Sequence, residues 1–206
     1  MNLLTILAKG GYIMIALGIT SIIGIAIIIE RLRTFSAAKT PKDFLDDYQN
    51  KLKNKDIDGI LKVCNTYDCP ISRVIKAGIV SQGEMEKDMS AKANEEVVAL
   101  EKYFGGLATI VGIAPLLGFL GTVTGMIKAF MQVEALGGNV NASVLAGGIW
   151  EALVTTATGL AIGIVVYIFY NYFVGRVRKI AQEMESLSTE IISLKSLALR
   201  EGLKWK

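Results

Sequence analysis

The chain has 206 residues, of which 52% are hydrophobic and 20% are charged, and its net charge at pH 7 is +3. It contains no histidine, which excludes histidine general bases, Ser-His-Asp and Cys-His nucleophiles, and imidazole-based zinc sites. Its lysines and arginines do not cluster with aromatic residues, so a nucleic-acid surface is not expected. Cys64 and Cys69 are too few for a disulfide scaffold and lack C-x-x-C spacing, so we expect two reduced, unreactive thiols and no metal or cofactor.

Three apolar segments are long enough to cross a bilayer, which takes about 20 mostly apolar residues. They comprise residues 12–29, 104–127 and about 149–174, and the charge that they contain is Glu151. We expect no cleaved signal peptide at the first segment, because no basic cluster precedes it and its small-x-small match, Ala16-Leu17-Gly18, lies inside the apolar run. The sequence therefore predicts an all-α integral membrane protein with three transmembrane helices.

The orientation follows from the basic residues near the span ends. Lys9 precedes the first span, and residues 132–148 between the second and third spans contain no lysine or arginine. Basic residues instead flank the long middle segment and follow the third span: Arg31, Arg33, Lys92, Lys102, Arg176, Arg178 and Lys179. We therefore expect the N-terminus outside and the C-terminus in the cytoplasm.

This orientation divides the chain into four parts. Residues 1–33 form the outer N-terminus and first span, and residues 34–103 form a cytoplasmic helical region. Residues 104–175 form the second and third spans with a short outer loop, and residues 176–206 form a cytoplasmic C-terminal helix. In the middle region, Pro41 predicts a helix start and Pro70 a break, while residues 84–103 run without proline or glycine into the second span.

Apolar residues of the C-terminal helix recur at alternating steps of three and four, which is a seam of heptad type. This C-terminal seam comprises Val177, Ile180, Met184, Leu187, Ile191, Leu194 and Ala198. Two partners for it are possible from the sequence: the cytoplasmic helices of the same chain, or a neighbouring subunit.

Small residues form a stripe on each of the second and third spans, and such stripes let helices approach closely in lipid. We assign helix packing to Pro115, Gly118, Gly121, Gly125, Gly159 and Gly163.

Polar residues inside spans are costly and by default indicate function. For Thr122 and Thr156 the alternative interpretation is that each hydroxyl merely bonds to a carbonyl oxygen of its own helix. At about 1.5 Å rise per residue, however, both lie roughly 8 Å outward of the bilayer midplane, in one layer. Glu151 lies roughly a turn and a half further out, either buried and functional or solvated at the interface beside Trp150. We predict an ion pathway through Thr122, Thr156 and Glu151, and an oligomer, because one chain cannot enclose a pore with two such faces.

Two runs in these spans resemble a known family. Residues 107–126, LATIVGIAPLLGFLGTVTGM, resemble the second span of the MotA/TolQ/ExbB proton channel family, and residues 148–160, GIWEALVTTATGL, resemble the start of its third span. The layout of three spans with a large first cytoplasmic segment is similar to the ExbB and TolQ branch. The stretch before the first span is short, which leaves the ExbB and TolQ assignments hard to separate.

The resemblance implies a pentamer of this subunit, in the bacterial inner membrane, around two helices of an ExbD- or TolR-like single-span partner. That partner would carry the protonatable aspartate. Thr122 and Thr156 match the lining threonines of the family, and Glu151 matches its third-span glutamate. Proton flow would then rotate the partner helices and energise a TonB- or TolA-like protein for outer-membrane transport or envelope maintenance.

Other functions remain open from the sequence. A membrane scaffold could bind a single-span partner and conduct nothing. A small solute transporter would require an inverted repeat, and none is visible in three spans. We do not expect an enzyme, because the chain lacks histidine, a metal-binding cluster and a G-x-x-x-x-G-K-[ST] loop.

Overall fold

The computed structural model describes residues 11–81, 83–136 and 142–200, with backbone alone at 142–144 and 198–200. Across these ranges the chain is all-α, as predicted, and contains no strand. The helices are α1 (Gly11–Ala37), α2 (Lys42–Lys53), α3 (Ile57–Thr66), α4 (Pro70–Val80), α5 (Met85–Leu100), α6 (Phe104–Ala135) and α7 (Ala142–Arg200). Within α1, α6 and α7 lie three segments long and apolar enough to cross a membrane, which confirms the three predicted spans.

The chain divides into two compact units. The first, which we call the spanning unit, comprises the residues up to Glu30 together with Tyr103–Tyr172. The second, which we call the polar unit, comprises Arg31–Lys102 together with the residues from Phe173 onward. The side of the membrane on which the polar unit lies stays a prediction.

In the spanning unit, α1, α6 and the first part of α7 pack through small residues and expose large apolar side chains. Gly24 of α1 lies against Val166 of α7 and Ile110 of α6, where a Cβ atom would be 3.2 Å from a Val166 methyl group. Exposed isoleucines such as Ile15 and Ile22 cover the outer surface of α1, at 68% and 70% exposure. Such a surface suits lipid, which solvates apolar side chains without cost.

The polar unit packs α2–α5 and the end of α1 against the C-terminal part of α7. Its core contains Phe44, Tyr48, Ile71 and Ile75, all fully buried. The ring of Phe35 stacks on Phe173, with centroids 5.4 Å apart. At Pro70, where the sequence predicts a break, a new helix begins, since proline suits the first helical position.

The C-terminal seam is buried inside this unit. Val177, Ile180, Met184, Leu187, Ile191 and Leu194 are each at most 8% exposed, whereas the Ala198 side chain lies outside the described residues. The buried hydroxyl of Tyr48 on α2 also donates to the Leu187 carbonyl oxygen, 3.2 Å away. Of the two partners left open by the sequence, the seam therefore packs on helices of its own chain.

The sequence predicts one helix that runs from residue 84 into the second span, but the structure interrupts it: α5 ends at Leu100 and α6 begins at Phe104. Tyr103 adopts a left-handed conformation, φ +70°, in the turn between α5 and α6. The Arg31 guanidinium donates to the carbonyl oxygens of Ala99 and Leu100, at 3.3 and 3.2 Å. A basic side chain at a helix C-terminus satisfies carbonyls that have no partner within the helix. Arg31 therefore stabilises the end of α5.

Candidate ion-pathway site

The contact between α6 and α7 is built on glycine. A Cβ atom at Gly118 would lie 3.0 Å from the carbonyl oxygen of Thr155, and one at Gly125 would lie 3.1 Å from the Ala152 Cβ. A Cβ at Gly159 would collide with the Ala114 carbonyl oxygen, and one at Gly121 with the Thr155 side chain. At Gly163 it would be 3.0 Å from the Pro115 ring. The structure thus places all six residues assigned to helix packing in the α6–α7 contact.

Thr122 and Thr156 meet across this contact. Their hydroxyl oxygens touch each other. Thr156 also donates to the Gly118 carbonyl oxygen of α6 at 2.9 Å, and Thr122 lies 3.2 Å from the Ala152 carbonyl oxygen of α7. Because each hydroxyl has one proton, the two cannot both donate to a carbonyl and to each other at the same moment. The pair is therefore a small hydrogen-bond network in which protons can be rearranged.

Thr155 belongs to the same contact, although the sequence reasoning did not select it. Its side chain is 1% exposed, and its hydroxyl donates to the Ala152 carbonyl oxygen of its own helix at 2.8 Å. That bond satisfies a buried hydroxyl without a partner from another helix. The spacing of four between Thr155 and Gly159 is a small-xxx-small signal that could have identified it.

Glu151 belongs to a separate group of contacts, which involves α1 as well as α6. Its Oε1 is 3.3 Å from the Lys128 ammonium of α6, and its side chain is 27% exposed. The same oxygen lies against Gly11, the first residue of α1, where a Cβ atom would be 2.5 Å away. The Lys128 ammonium is also 5.3 Å from the centre of the Tyr12 ring. Glu151 therefore joins α7 to both α6 and α1.

The hydroxyl pair and the ion pair lie on different flanks of the α6–α7 contact. At about 100° per residue, Lys128 is rotated roughly 120° from Thr122 around α6, and Glu151 roughly 140° from Thr156 around α7. Contacts with Gly11 and Tyr12 place α1 on the flank of the ion pair. The structure thus brings Thr122 and Thr156 together and directs Glu151 away from them. The role of these three residues in an ion pathway stays a prediction.

Comparison with known proteins bears on this arrangement. The model of the MotA/TolQ/ExbB proton channel family matches residues 67–186, which include both the hydroxyl pair and the ion pair. The chain belongs to this family. It is a multi-pass membrane protein of the ExbB and TolQ branch.

Its relatives include an ExbB homolog of Methanothermobacter thermautotrophicus, 32% identical over 81% of this chain and 60% of that protein. The ExbB-like 3 protein of Synechocystis is 31% identical over 80% of this chain and 81% of that protein. The Tol-Pal system protein TolQ of Haemophilus influenzae is 36% identical over 52% of this chain and 46% of that protein. The chain thus spans about three fifths of the length of the first of these relatives.

Proposed function

We propose that this chain is the multi-span subunit of a proton-driven motor complex in the bacterial inner membrane. The complex uses proton motive force to energise a TonB- or TolA-like protein. Support comes from membership of a proton channel family and from relatives named as biopolymer transport and Tol-Pal system proteins. No enzymatic turnover and no cofactor are part of this proposal.

The observation that carries the proposal is the contact between the Thr122 and Thr156 hydroxyls. Two hydroxyls that touch each other and two main-chain carbonyl oxygens form a polar row across the contact between α6 and α7. Hydroxyls can accept and donate hydrogen bonds at once, so such a row can hold water or guide a proton carried by a neighbouring group. It can form one wall of an ion pathway.

A threonine hydroxyl does not itself titrate near neutral pH, so the proton-carrying group must come from elsewhere. The proposed partner is an ExbD- or TolR-like single-span subunit with an aspartate in its membrane helix. Because α6 and α7 supply only one wall, several copies of this chain must surround that helix, and the proposed assembly is a homo-oligomer, in the form of a pentamer. Glu151 lies nearer the proposed outer end of the same two helices, on a different flank from the hydroxyl pair, and is the third candidate residue of the pathway.

The test is proton flux into liposomes under an imposed pH gradient, with this chain alone and together with its single-span partner. We expect flux only with both subunits, and a loss of most of it in Thr122→Val and Thr156→Val. Valine keeps the shape of threonine and removes the hydroxyl. Thr124→Val and Thr158→Val are matched controls, since those hydroxyls bond only to carbonyls of their own helices among the described residues.

A second candidate function is a membrane scaffold that binds the single-span partner and conducts nothing. It is favoured by the hydrogen bonds that the two threonines make across the α6–α7 contact, which hold the helices together whether or not ions pass. For the scaffold, Thr122→Ala and Thr156→Ala leave the energised process intact as long as the complex assembles. Wild-type complexes without flux, together with active threonine variants, would replace the channel proposal by the scaffold.

A further inference from the structure

The ion pair between Lys128 and Glu151 links three helices at one end of the spanning unit. Lys128 belongs to α6 and Glu151 to α7, with 3.3 Å between the ammonium nitrogen and Oε1. Gly11 and Tyr12 of α1 complete the group, which we call the outer tie. The outer tie joins residues that are far apart in sequence, so it depends on how the three helices pack against one another.

We infer that Lys128 and Glu151 are positioning residues that fix the end of α1 on the α6–α7 pair, and that Glu151 supports the pathway in this way rather than by touching the ion. This inference rests on the proposed function, because it assigns Glu151 a role within the same complex. Its basis is direction: the carboxylate faces Lys128 and Gly11, on the flank opposite the Thr122–Thr156 hydroxyls.

The start of α1 suits a carboxylate. The first turn of a helix has N–H groups without partners in the helix and carries the positive end of the helix dipole. Gly11, which begins α1, leaves the space that the Glu151 oxygen occupies. It also has φ +64°, a left-handed conformation that glycine adopts without strain. Any larger residue at position 11 would displace the carboxylate and strain the backbone.

Lys128 holds the other side of the carboxylate and also contacts α1. Its ammonium is 5.3 Å from the centre of the Tyr12 ring, within the range of a cation–π interaction. Lys128 thus binds the carboxylate on α7 and an aromatic ring on α1 at once. Removal of the Lys128 ammonium therefore removes a contact with α7 and a contact with α1 together.

The geometry of the outer tie can be tested without any ion flux. A carbodiimide activates a carboxylate, and a lysine amine in contact with it then forms an amide bond while the displaced carboxylate oxygen leaves on the carbodiimide as a urea. We expect a cross-linked peptide that joins Lys128 to Glu151 in the purified full chain, absent in Glu151→Gln. The variant Glu134→Gln, which removes an exposed carboxylate of α6, should leave it unchanged. Failure to form this cross-link in the wild type would overturn the inference.

The role of the outer tie is tested by a double-mutant cycle on proton flux through the complex with the single-span partner. We expect Lys128→Met and Glu151→Gln each to lower flux by roughly two- to fivefold, the scale of a partly exposed ion pair. Combined, they should lower it no further than either alone, and Lys128→Arg should retain wild-type flux. The exchanged pair, Lys128→Glu with Glu151→Lys, should recover flux only in part, because it puts an ammonium at the start of α1.

The alternative gives a different result in the same cycle. If Glu151 carried the ion, Glu151→Gln would abolish flux, Lys128→Met would not reproduce that loss, and the exchanged pair would stay inactive; this pattern overturns the inference and leaves the proposed function intact. Absence of flux from the wild-type complex would instead contradict the proposed function. In that case the apparent Tm of the full chain tests the outer tie. Lys128→Met and Glu151→Gln should lower this Tm equally, and Lys128→Arg should not lower it.

Discussion

Gly159 on α7 lies directly against the carbonyl oxygen of Ala114 on α6, where a Cβ atom has no room. The obstacle is main chain and not the far end of a flexible side chain, so it cannot move aside without a shift of a whole helix. Close approach of this kind is what allows the hydroxyls of Thr122 and Thr156 to reach carbonyl oxygens on the opposite helix. Helix packing and the candidate site are therefore one structural feature.

The first prediction concerns Gly159→Ala. The added methyl group should separate α6 from α7 and destabilise the full chain in detergent by about 1–3 kcal/mol, the usual cost of overpacking. Gly112→Ala on α6 is the control, because a Cβ there meets nothing within 4 Å. That variant should be neutral or slightly stabilising, since alanine is a better helix former than glycine. Equal apparent Tm values for the two variants would contradict the close contact.

The three spans could be predicted from the sequence because each is a long run of apolar residues, and length and hydropathy alone decide whether a helix can cross a bilayer. That Thr122 and Thr156 lie at the same level along two antiparallel helices was also predictable from the rise per residue, and in the structure their hydroxyls are in contact. The level of a residue along its helix does not determine the direction in which its side chain points, however. The direction depends on how each helix is rotated about its axis.

Glu151 shows where sequence reasoning stops. The sequence predicts that Glu151 lies near one end of a span. It does not predict the contacts with Lys128 and Gly11, because those residues belong to other helices. The end of α5 at Leu100 has a similar cause, since no proline or glycine marks it. The arginine that caps this end, Arg31, is 69 residues away from Leu100 in the sequence.

The second prediction concerns the C-terminal seam. Ile191 is fully buried, so Ile191→Ala should destabilise the full chain by about 2–5 kcal/mol through lost contacts and a cavity. Leu197→Ala is the control, because that side chain is 48% exposed in the same helix. Thermal unfolding at one detergent concentration and one scan rate measures both. If the seam instead packed only on a neighbouring subunit, Ile191→Ala would leave the separate chain as stable as the wild type.

The third prediction concerns the two cysteines, which are free and buried in the polar unit. Burial away from water raises the pKa of the Cys64 thiol to about 12, and the nucleophilic form is the thiolate. We therefore expect negligible labelling by a maleimide at pH 7.5 in the folded chain, and labelling of both thiols after denaturation. Ala91→Cys, at an exposed position of α5, is the positive control and should react within minutes. Rapid labelling of the wild type would contradict the prediction of unreactive thiols.

The fourth prediction concerns Glu96 on α5 and its ion pairs. Arg73 of α4 donates two hydrogen bonds to the carboxylate, each 2.8 Å long, and Lys92 lies 3.5 Å from one of its oxygens. The paired Arg73 guanidinium lowers the pKa of Glu96 below its ordinary value of 4.5. A lowered pKa in the folded state stabilises the fold above the ordinary value, and this stabilisation is lost as the pH falls through the folded-state pKa. The polar unit should therefore lose stability below about pH 4.5.

Glu96→Gln tests this assignment against a neighbour on the same helix. It should destabilise the full chain at pH 7 by about 1–2 kcal/mol, less than a fully buried pair would, because the Arg73 side chain is 38% exposed. The variant should also lose less stability than the wild type does as the pH falls below about 4.5, since the carboxylate that titrates is gone. Glu95→Gln removes a 70% exposed carboxylate paired with Lys92 and should change stability by less than about 0.5 kcal/mol. If Glu96→Gln and the wild type lose stability in parallel as the pH falls, other carboxylates are responsible for the acid sensitivity, and the Arg73–Glu96 pair does not link α4 to α5 in the way described.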